Sequence, residues 1–378
     1  MSYYYENINI ESFKPIISPA IIKDEYPITN DIISQTVKYR ESIIDILENR
    51  DNRFIVIVGP CSIHDYDAAI DYANQLKEIS VLYPKLFIIM RVYFEKPRTN
   101  VGWKGLIYDP TLENSFNINE GLKLARKLLL EISHIGLPIA CEFLDTIVPQ
   151  YISDLVSWGA IGARTVESQV HRQLASGLSM PIGFKNGTSG NIQVALDAIK
   201  CANNPHAFLG ITEEGTPSVV KTKGNQDCHL ILRGGSNGPN YDKIHVDEVE
   251  EKINEQNLKN NIIIDCSHGN SGKDYNKQII VSQHIADQLY NSNSSNKSSN
   301  KSSNKSSNKS SNKLPNKSLK NKSSIKGIML ESNLVEGNQK CDNSKNCKLK
   351  LEYGKSITDS CINLITTESI FKIISNVL

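Results

Sequence analysis

The sequence predicts a closed (β/α)8 barrel. Eight short apolar runs alternate with amphipathic stretches, the length suits one large domain, and several of the runs end abruptly in a charged residue. Buried strands separated by helices pair in parallel, and eight of them close on themselves. An open doubly wound sheet is the alternative, but no glycine-rich dinucleotide fingerprint follows the first strand.

Residues 1–50 read as an arm and a helix outside the barrel, which occupies 51–378. Strands are expected over 54–58, 86–90, 138–143, 159–163, 181–185, 229–232, 262–265 and 325–330, all short and mostly apolar. Helices are expected between them. Stretches 68–82 and 118–135 carry apolar residues at helical spacing most clearly, and 149–158, 168–176, 192–202, 246–257 and 278–289 follow the same pattern. Residues 206–224 read as an extra β-hairpin before the sixth strand. From 291 to 324 the chain becomes a Ser-Ser-Asn-Lys repeat. So few apolar groups cannot offset the entropy of ordering, so a disordered insertion is expected there, interrupting the barrel domain. A basic tether for an acidic surface is the other reading of this segment.

The formal net charge of +1 argues against a dedicated nucleic-acid binder. No apolar run reaches the length of a membrane span, and the polar, tyrosine-rich start lacks a signal peptide's apolar core. The eight cysteines form no paired framework, which points to a reducing, cytoplasmic setting. Cys341 and Cys347 flank a polar loop and are a candidate clip.

In such a barrel the chemistry collects where strands end. The stretch Arg-Val-Tyr-Phe-Glu-Lys-Pro-Arg-Thr, 91–99, places Arg91, Lys96 and Arg98 close together around Pro97. Arg164, Lys185 and Arg233 follow the fourth, fifth and sixth strands, and Glu142 ends the third. Like charges crowded at one barrel face suit a ligand with more than one anionic group, since buried charge without a partner is costly. A second collection is Cys61, His268, Glu331 and Asp359, after the first, seventh and eighth strands. Thiolate, imidazole and carboxylate together suit a borderline divalent ion. Singly, each has a structural role open to it: packed thiol, satisfied loop histidine, or partners for the cations.

Nine motifs also resemble one family. They are G-P-C-S-I-H (59–64), M-R-V-Y-F-E-K-P-R-T (90–99), V-G-W-K-G-L-I (101–107), G-A-I-G-A-R-T (159–165), E-S-Q-V-H-R (167–172), G-F-K-N-G-T (183–188), I-L-R-G-G (231–235), D-C-S-H-G-N-S (265–271) and E-S-N-L-V-E-G-N-Q (331–339). Together they resemble 3-deoxy-D-arabino-heptulosonate-7-phosphate (DAHP) synthases of the type found in enteric bacteria and fungi. The resemblance spans nearly the whole chain, apart from the Ser-Asn-Lys insertion.

The resemblance implies condensation of phosphoenolpyruvate with erythrose 4-phosphate, the first step of the shikimate pathway. By it, Arg91, Lys96, Arg164, Lys185 and Arg233 hold phosphoenolpyruvate, and the loop Lys96-Pro97-Arg98-Thr99 holds erythrose 4-phosphate. Cys61, His268, Glu331 and Asp359 match the family's ligands for one divalent metal ion (Mn, Fe, Co or Zn). Glu142 is the candidate for orienting water, and Asp359 or a metal-bound water for passing a proton to the new hydroxyl. The family's aromatic amino acid effector site matches Pro149, Gln150, Leu178, Ser179, Phe208 and Gly210, completed by a neighbouring subunit's N-terminal arm. This implies a homodimer or homotetramer, with 1–50 as a regulatory and oligomerisation arm. Glycine rather than serine at 210 leaves room for a hydroxyl, so tyrosine is expected as effector. The arm reads Glu6-Asn7 where some relatives have two acidic residues. The competing readings are a sister synthase that uses a five-carbon sugar phosphate and a catalytically silent, tyrosine-binding regulatory paralogue.

Overall fold

The computed structural model describes residues 6–98, 101–302, 323–342, 344 and 346–378. Its strands are β1 (Phe54–Gly59), β2 (Leu86–Arg91), β3 (Ile139–Glu142), β4 (Trp158–Ile161), β5 (Ile182–Lys185), β6 (Ala207–Ile211), β7 (Pro217–Lys221), β8 (Cys228–Leu232), β9 (Ile262–Asp265), β10 (Ile325–Glu331), β11 (Val335–Asn338) and β12 (Lys355–Ser356). Its helices are α1 (Pro19–Glu25), α2 (Asn30–Leu47), α3 (Tyr66–Ser80), α4 (Ile118–Ile135), α5 (Pro149–Ile152), α6 (Gln169–Ala175), α7 (Gln193–Ala202), α8 (Lys243–Glu255), α9 (Gln278–Ser302) and α10 (Leu364–Val377).

Eight strands close a barrel in the order β1-β10-β9-β8-β5-β4-β3-β2. Every neighbouring pair is parallel. This is the (β/α)8 barrel that the alternation of runs predicts. Helices cover the outside, so both faces of each strand are buried and the strands read as near-continuous apolar runs. Successive residues still alternate. Val56 and Val58 pack outward under the helices, whereas Ile55 and Ile57 join Phe87, Ile89, Trp158, Ile231, Ile263 and Met329 inside the barrel. Helix α2 adds Ile43, Ile46 and Leu47 to that inner cluster. It therefore closes the mouth where the strands begin and leaves the other mouth for chemistry.

The hairpin expected over 206–224 is present as antiparallel β6–β7. The helix expected over 149–158 is not. There α5 stops at Ile152, a single 3-10 turn spans Ser153–Leu155, and Trp158 already belongs to β4. Trp158 is fully buried, and its indole donates to His229 Nε2 at 3.0 Å, so barrel packing overrides the helical pattern. Helix α10 and the small sheet β11–β12 were not anticipated. The signal for α10 lies in Thr367, Ile370, Phe371 and Ile374, which share a buried face at helical spacing.

Helix α9 runs on to Ser302, into the stretch expected to lack structure from 291, and residues 303–322 lie outside the described residues. No proline interrupts that stretch before Ser302, and each added residue of an existing helix gains a hydrogen bond. Cys341 and Cys347 are joined as a disulfide, and the other six cysteines are free. Among the described residues, no helix is long and apolar enough to cross a membrane.

Candidate active site

The last residues of β2, β3, β5, β9 and β10 are Arg91, Glu142, Lys185, Asp265 and Glu331. Apart from Lys326 near the start of β10, the other residues of these strands are apolar or small, so parallel packing delivers the polar group at each strand end to one mouth of the barrel. A cavity of about 800 Å³ opens there. Arg91, Lys96, Arg98, Arg164, Lys185 and Arg233 all line it, together with Pro97, Glu142, His268 and Asp359. All six strand-end cations therefore converge. Thr99 lies outside the described residues.

The cations divide into two groups. Arg91 is buried and ion-paired with Glu331 at 2.9 Å, and it also donates to the carbonyls of Pro60 and Cys61 at 3.1 and 3.2 Å. Its guanidinium stacks 3.8 Å from the Tyr93 ring centre. Lys185 is ion-paired with Asp265 at 2.9 Å, and Lys96 Nζ sits 3.1 Å from both the Cys61 carbonyl and its sulfur. Among the described residues the other three reach only carbonyl oxygens: Arg98 to Trp103, Arg164 to Pro97 and Arg233 to Gly234. Among the described residues these three form no ion pair, so they are free to meet an anion.

The loops that carry these groups cross closely. A Cβ on Gly234 would lie 2.5 Å from the Gly269 carbonyl carbon, and Gly234 adopts φ +68°. Only glycine fits there, which lets the Arg233 loop rest on the His268 loop. Asn186 ties β5 to the same loop. Its Oδ1 accepts from the Arg233 amide at 2.8 Å, and its Nδ2 donates to the Gly234 carbonyl at 2.9 Å.

The donor atoms of Cys61, Glu331 and Asp359 lie within 4.8 Å of one another. His268 stands at the edge of this group, with Nε2 3.7 Å from a Glu331 oxygen. Its other nitrogen is taken by Asp265 Oδ2 at 2.9 Å and Ser267 Oγ at 2.7 Å, so Nε2 is the nitrogen left for an ion. Burial, then the Glu331 carboxylate, pushes the Cys61 thiol above its ordinary value, while the Lys96 ammonium pulls the other way. A thiol, two carboxylates and an imidazole, of which His268 and Asp359 line the cavity and Cys61 and Glu331 are buried behind it, fit a borderline divalent ion.

The six residues expected to bind an effector also come together. Pro149, Gln150, Leu178, Ser179, Phe208 and Gly210 line one hollow of about 90 Å³ between α5, α6 and the β6–β7 hairpin. Sequence reasoning assigned no role to Asp265, Ser267 or Asn186, although each sits beside a residue it singled out. It also passed over Lys273 and Lys277, which line the large cavity. Their sole signal was position in the loop after the seventh strand.

A family described as the DAHP synthetase I family matches residues 25–372. The chain is 46% identical over 377 residues to the Phe-sensitive phospho-2-dehydro-3-deoxyheptonate aldolase of Escherichia coli K12, covering 100% of this chain and 98% of that one. It is 42% identical to the Tyr-sensitive enzyme of the same organism, covering 97% and 94%. Among solved structures, the phospho-2-dehydro-3-deoxyheptonate aldolase of Francisella tularensis SCHU S4 superposes with a TM-score of 0.86 at 47% identity, covering 98% of each chain. The eight-stranded barrel, its ring of strand-end cations and these matches over nearly the full length agree, and the chain belongs to the DAHP synthetase I family.

Proposed function

We propose that this protein condenses phosphoenolpyruvate with erythrose 4-phosphate and water to give 3-deoxy-D-arabino-heptulosonate 7-phosphate and phosphate. The observation that carries this reading is the convergence of six strand-end cations on one cavity that also exposes His268 and Asp359. Two phosphates and a carboxylate require such a set of fixed positive charges. In the reaction, C3 of phosphoenolpyruvate forms a bond to the aldehyde carbon. Water adds at C2, the C2–oxygen bond to phosphate breaks, and the aldehyde oxygen gains a proton.

Arg91, Lys96, Arg164, Lys185 and Arg233 hold the phosphate and carboxylate of phosphoenolpyruvate in this reading. The loop Lys96-Pro97-Arg98-Thr99 holds erythrose 4-phosphate. Glu142, which is buried and lines the cavity, orients the attacking water. Asp359 delivers the proton to the new hydroxyl. Cys61, His268, Glu331 and Asp359 hold one divalent ion (Mn, Fe, Co or Zn), which when bound supplies Lewis acidity toward the aldehyde.

The same reading makes the hollow at Phe208 and Gly210 a feedback site for an aromatic amino acid, tyrosine in preference to phenylalanine. A second copy's arm completes it, so the working form is a dimer or tetramer in the cytoplasm. Exposed Ile8, Ile10 and Phe13 on the arm and Leu209 and Val219 on the hairpin support a second-copy contact. A catalytically silent paralogue is not favoured, because every strand-end cation of the site is present. Steady-state kinetics with erythrose 4-phosphate and with arabinose 5-phosphate test the proposal. A strong preference for the four-carbon aldose supports it, and preference for the five-carbon one refutes it.

A further inference from the structure

We infer that Asp265 is a positioning residue that couples the ion-holding group to the phosphoenolpyruvate cations, so that each ligand tightens the other. The inference rests on the proposed function for the identity of the two ligands. Asp265 ends β9 and is completely buried. Its Oδ2 accepts from Lys185 Nζ at 2.9 Å and lies 2.9 Å from His268 Nδ1. Its Oδ1 accepts from the Ser267 amide at 3.0 Å and the Ser267 hydroxyl at 2.6 Å. Both oxygens are therefore fully committed, and one of them is shared between the two functional groups. Lys185 comes from β5, and β8 lies between β5 and β9 in the barrel. The carboxylate thus reaches across a strand to join parts of the site that the backbone keeps apart.

Because the Ser267 hydroxyl donates to Asp265, it accepts from His268 Nδ1, which must then carry the proton. That fixes the tautomer with Nε2 facing Glu331. The shared oxygen transmits the coupling. An anion that draws Lys185 toward the cavity leaves more of the Asp265 charge to His268 and makes Nε2 a stronger donor. His268 Nε2, were it to hold an ion, would make Nδ1–H a stronger donor to Asp265 and leave Lys185 freer to meet the anion. Linkage makes the two effects equal, and couplings of this kind run roughly five- to a hundredfold in affinity.

The test is calorimetric titration of Mn2+ into the full-length, metal-stripped protein, with and without saturating phosphoenolpyruvate and without any aldose. The wild type should bind Mn2+ at least roughly fivefold more tightly with phosphoenolpyruvate present. Asp265→Asn should weaken Mn2+ binding roughly tenfold or more and bring the coupling factor close to one. Ser267→Ala should weaken Mn2+ less and keep the coupling, since the Lys185–Asp265–His268 bridge survives. An Asp265→Asn protein with the wild-type coupling factor, or wild-type protein that binds both ligands independently, overturns the inference while leaving the proposed function standing. Wild-type protein that binds neither ligand overturns both. If Asp265→Asn does not fold by circular dichroism, the 15N shift of His268 in metal-free wild type decides. Movement on adding phosphoenolpyruvate supports the bridge, and no movement overturns it.

Discussion

Arg91 and Glu331 form an ion pair at 2.9 Å with side chains only 1% and 2% exposed. One residue belongs to the proposed substrate cations and the other to the ion-holding group, so the two functions share a buried contact. Removing one partner of such a pair strands a charge and costs about 3–5 kcal/mol. Glu331→Ala should therefore destabilise the metal-free protein by about that amount in urea denaturation. Arg98→Ala, on an exposed loop, should change stability by less than about 0.5 kcal/mol. Equal effects from the two substitutions would contradict the account.

Arg98 and Arg164 should divide the two substrates. Losing a hydrogen bond to a charged group costs about 1.5–3 kcal/mol, or roughly ten- to a hundredfold. Arg98→Ala should raise the KM for erythrose 4-phosphate by that factor and leave the KM for phosphoenolpyruvate nearly unchanged, while Arg164→Ala should do the reverse. Initial-rate kinetics with each substrate varied will show whether the effects separate, and parallel changes in both variants would defeat the assignment.

Glu95 should make stability depend on pH. It is buried, its Oε1 has no hydrogen-bond partner among the described residues, and its Oε2 accepts from the Leu144 amide at 3.4 Å. Burial first, and then the Asp145 carboxylate, raises its pKa from 4.5 to about 8. The folded protein thus keeps a proton that the unfolded chain has already lost between those values. Stability should fall as pH rises through that window, by at most about 1.4 kcal/mol per unit from this group, and level off above it. Glu95→Gln should have a flatter thermal-melting profile over the same range. Superimposable slopes would show that Glu95 is not the titrating group.

Gly210 should set the effector hollow. A Cβ there would come within 2.8 Å of Val220 Cγ2, which lines the same hollow, and on the proposed tyrosine preference a side chain at this position would crowd the effector's hydroxyl. Gly210→Ser should weaken inhibition by tyrosine more than inhibition by phenylalanine, with uninhibited turnover close to wild type. Inhibition curves for the two amino acids measure this, and stronger inhibition of the wild type by phenylalanine than by tyrosine would remove the proposed preference.

Much of this architecture is legible in the sequence because buried parallel strands leave a strong trace. The run Leu86–Arg91 is apolar until its last residue, so both the strand and the direction of its functional end can be read. Repeated around the barrel, that pattern brings Arg91, Lys185 and Arg233 to one mouth without knowledge of a single contact. The short elements were harder. Residues 149–158 carry a helical spacing, yet Trp158 is drawn into the barrel interior, a tertiary demand that local pattern does not contain. The role of Asp265 was hidden for a similar reason. It stands at a strand end like the other site residues, but its meaning depends on which side chains reach it from β5 and the following loop. Glu95 lay inside a recognised motif, and only its burial makes it unusual.

The most direct test of the central claim is phosphate release from phosphoenolpyruvate by the Mn2+-loaded protein, with and without erythrose 4-phosphate, before and after chelation. The account predicts release that requires the aldose, disappears with chelator and returns when Mn2+ is restored. Aldose-independent release, release that survives complete metal removal, or no release from folded protein that still binds tyrosine would contradict it.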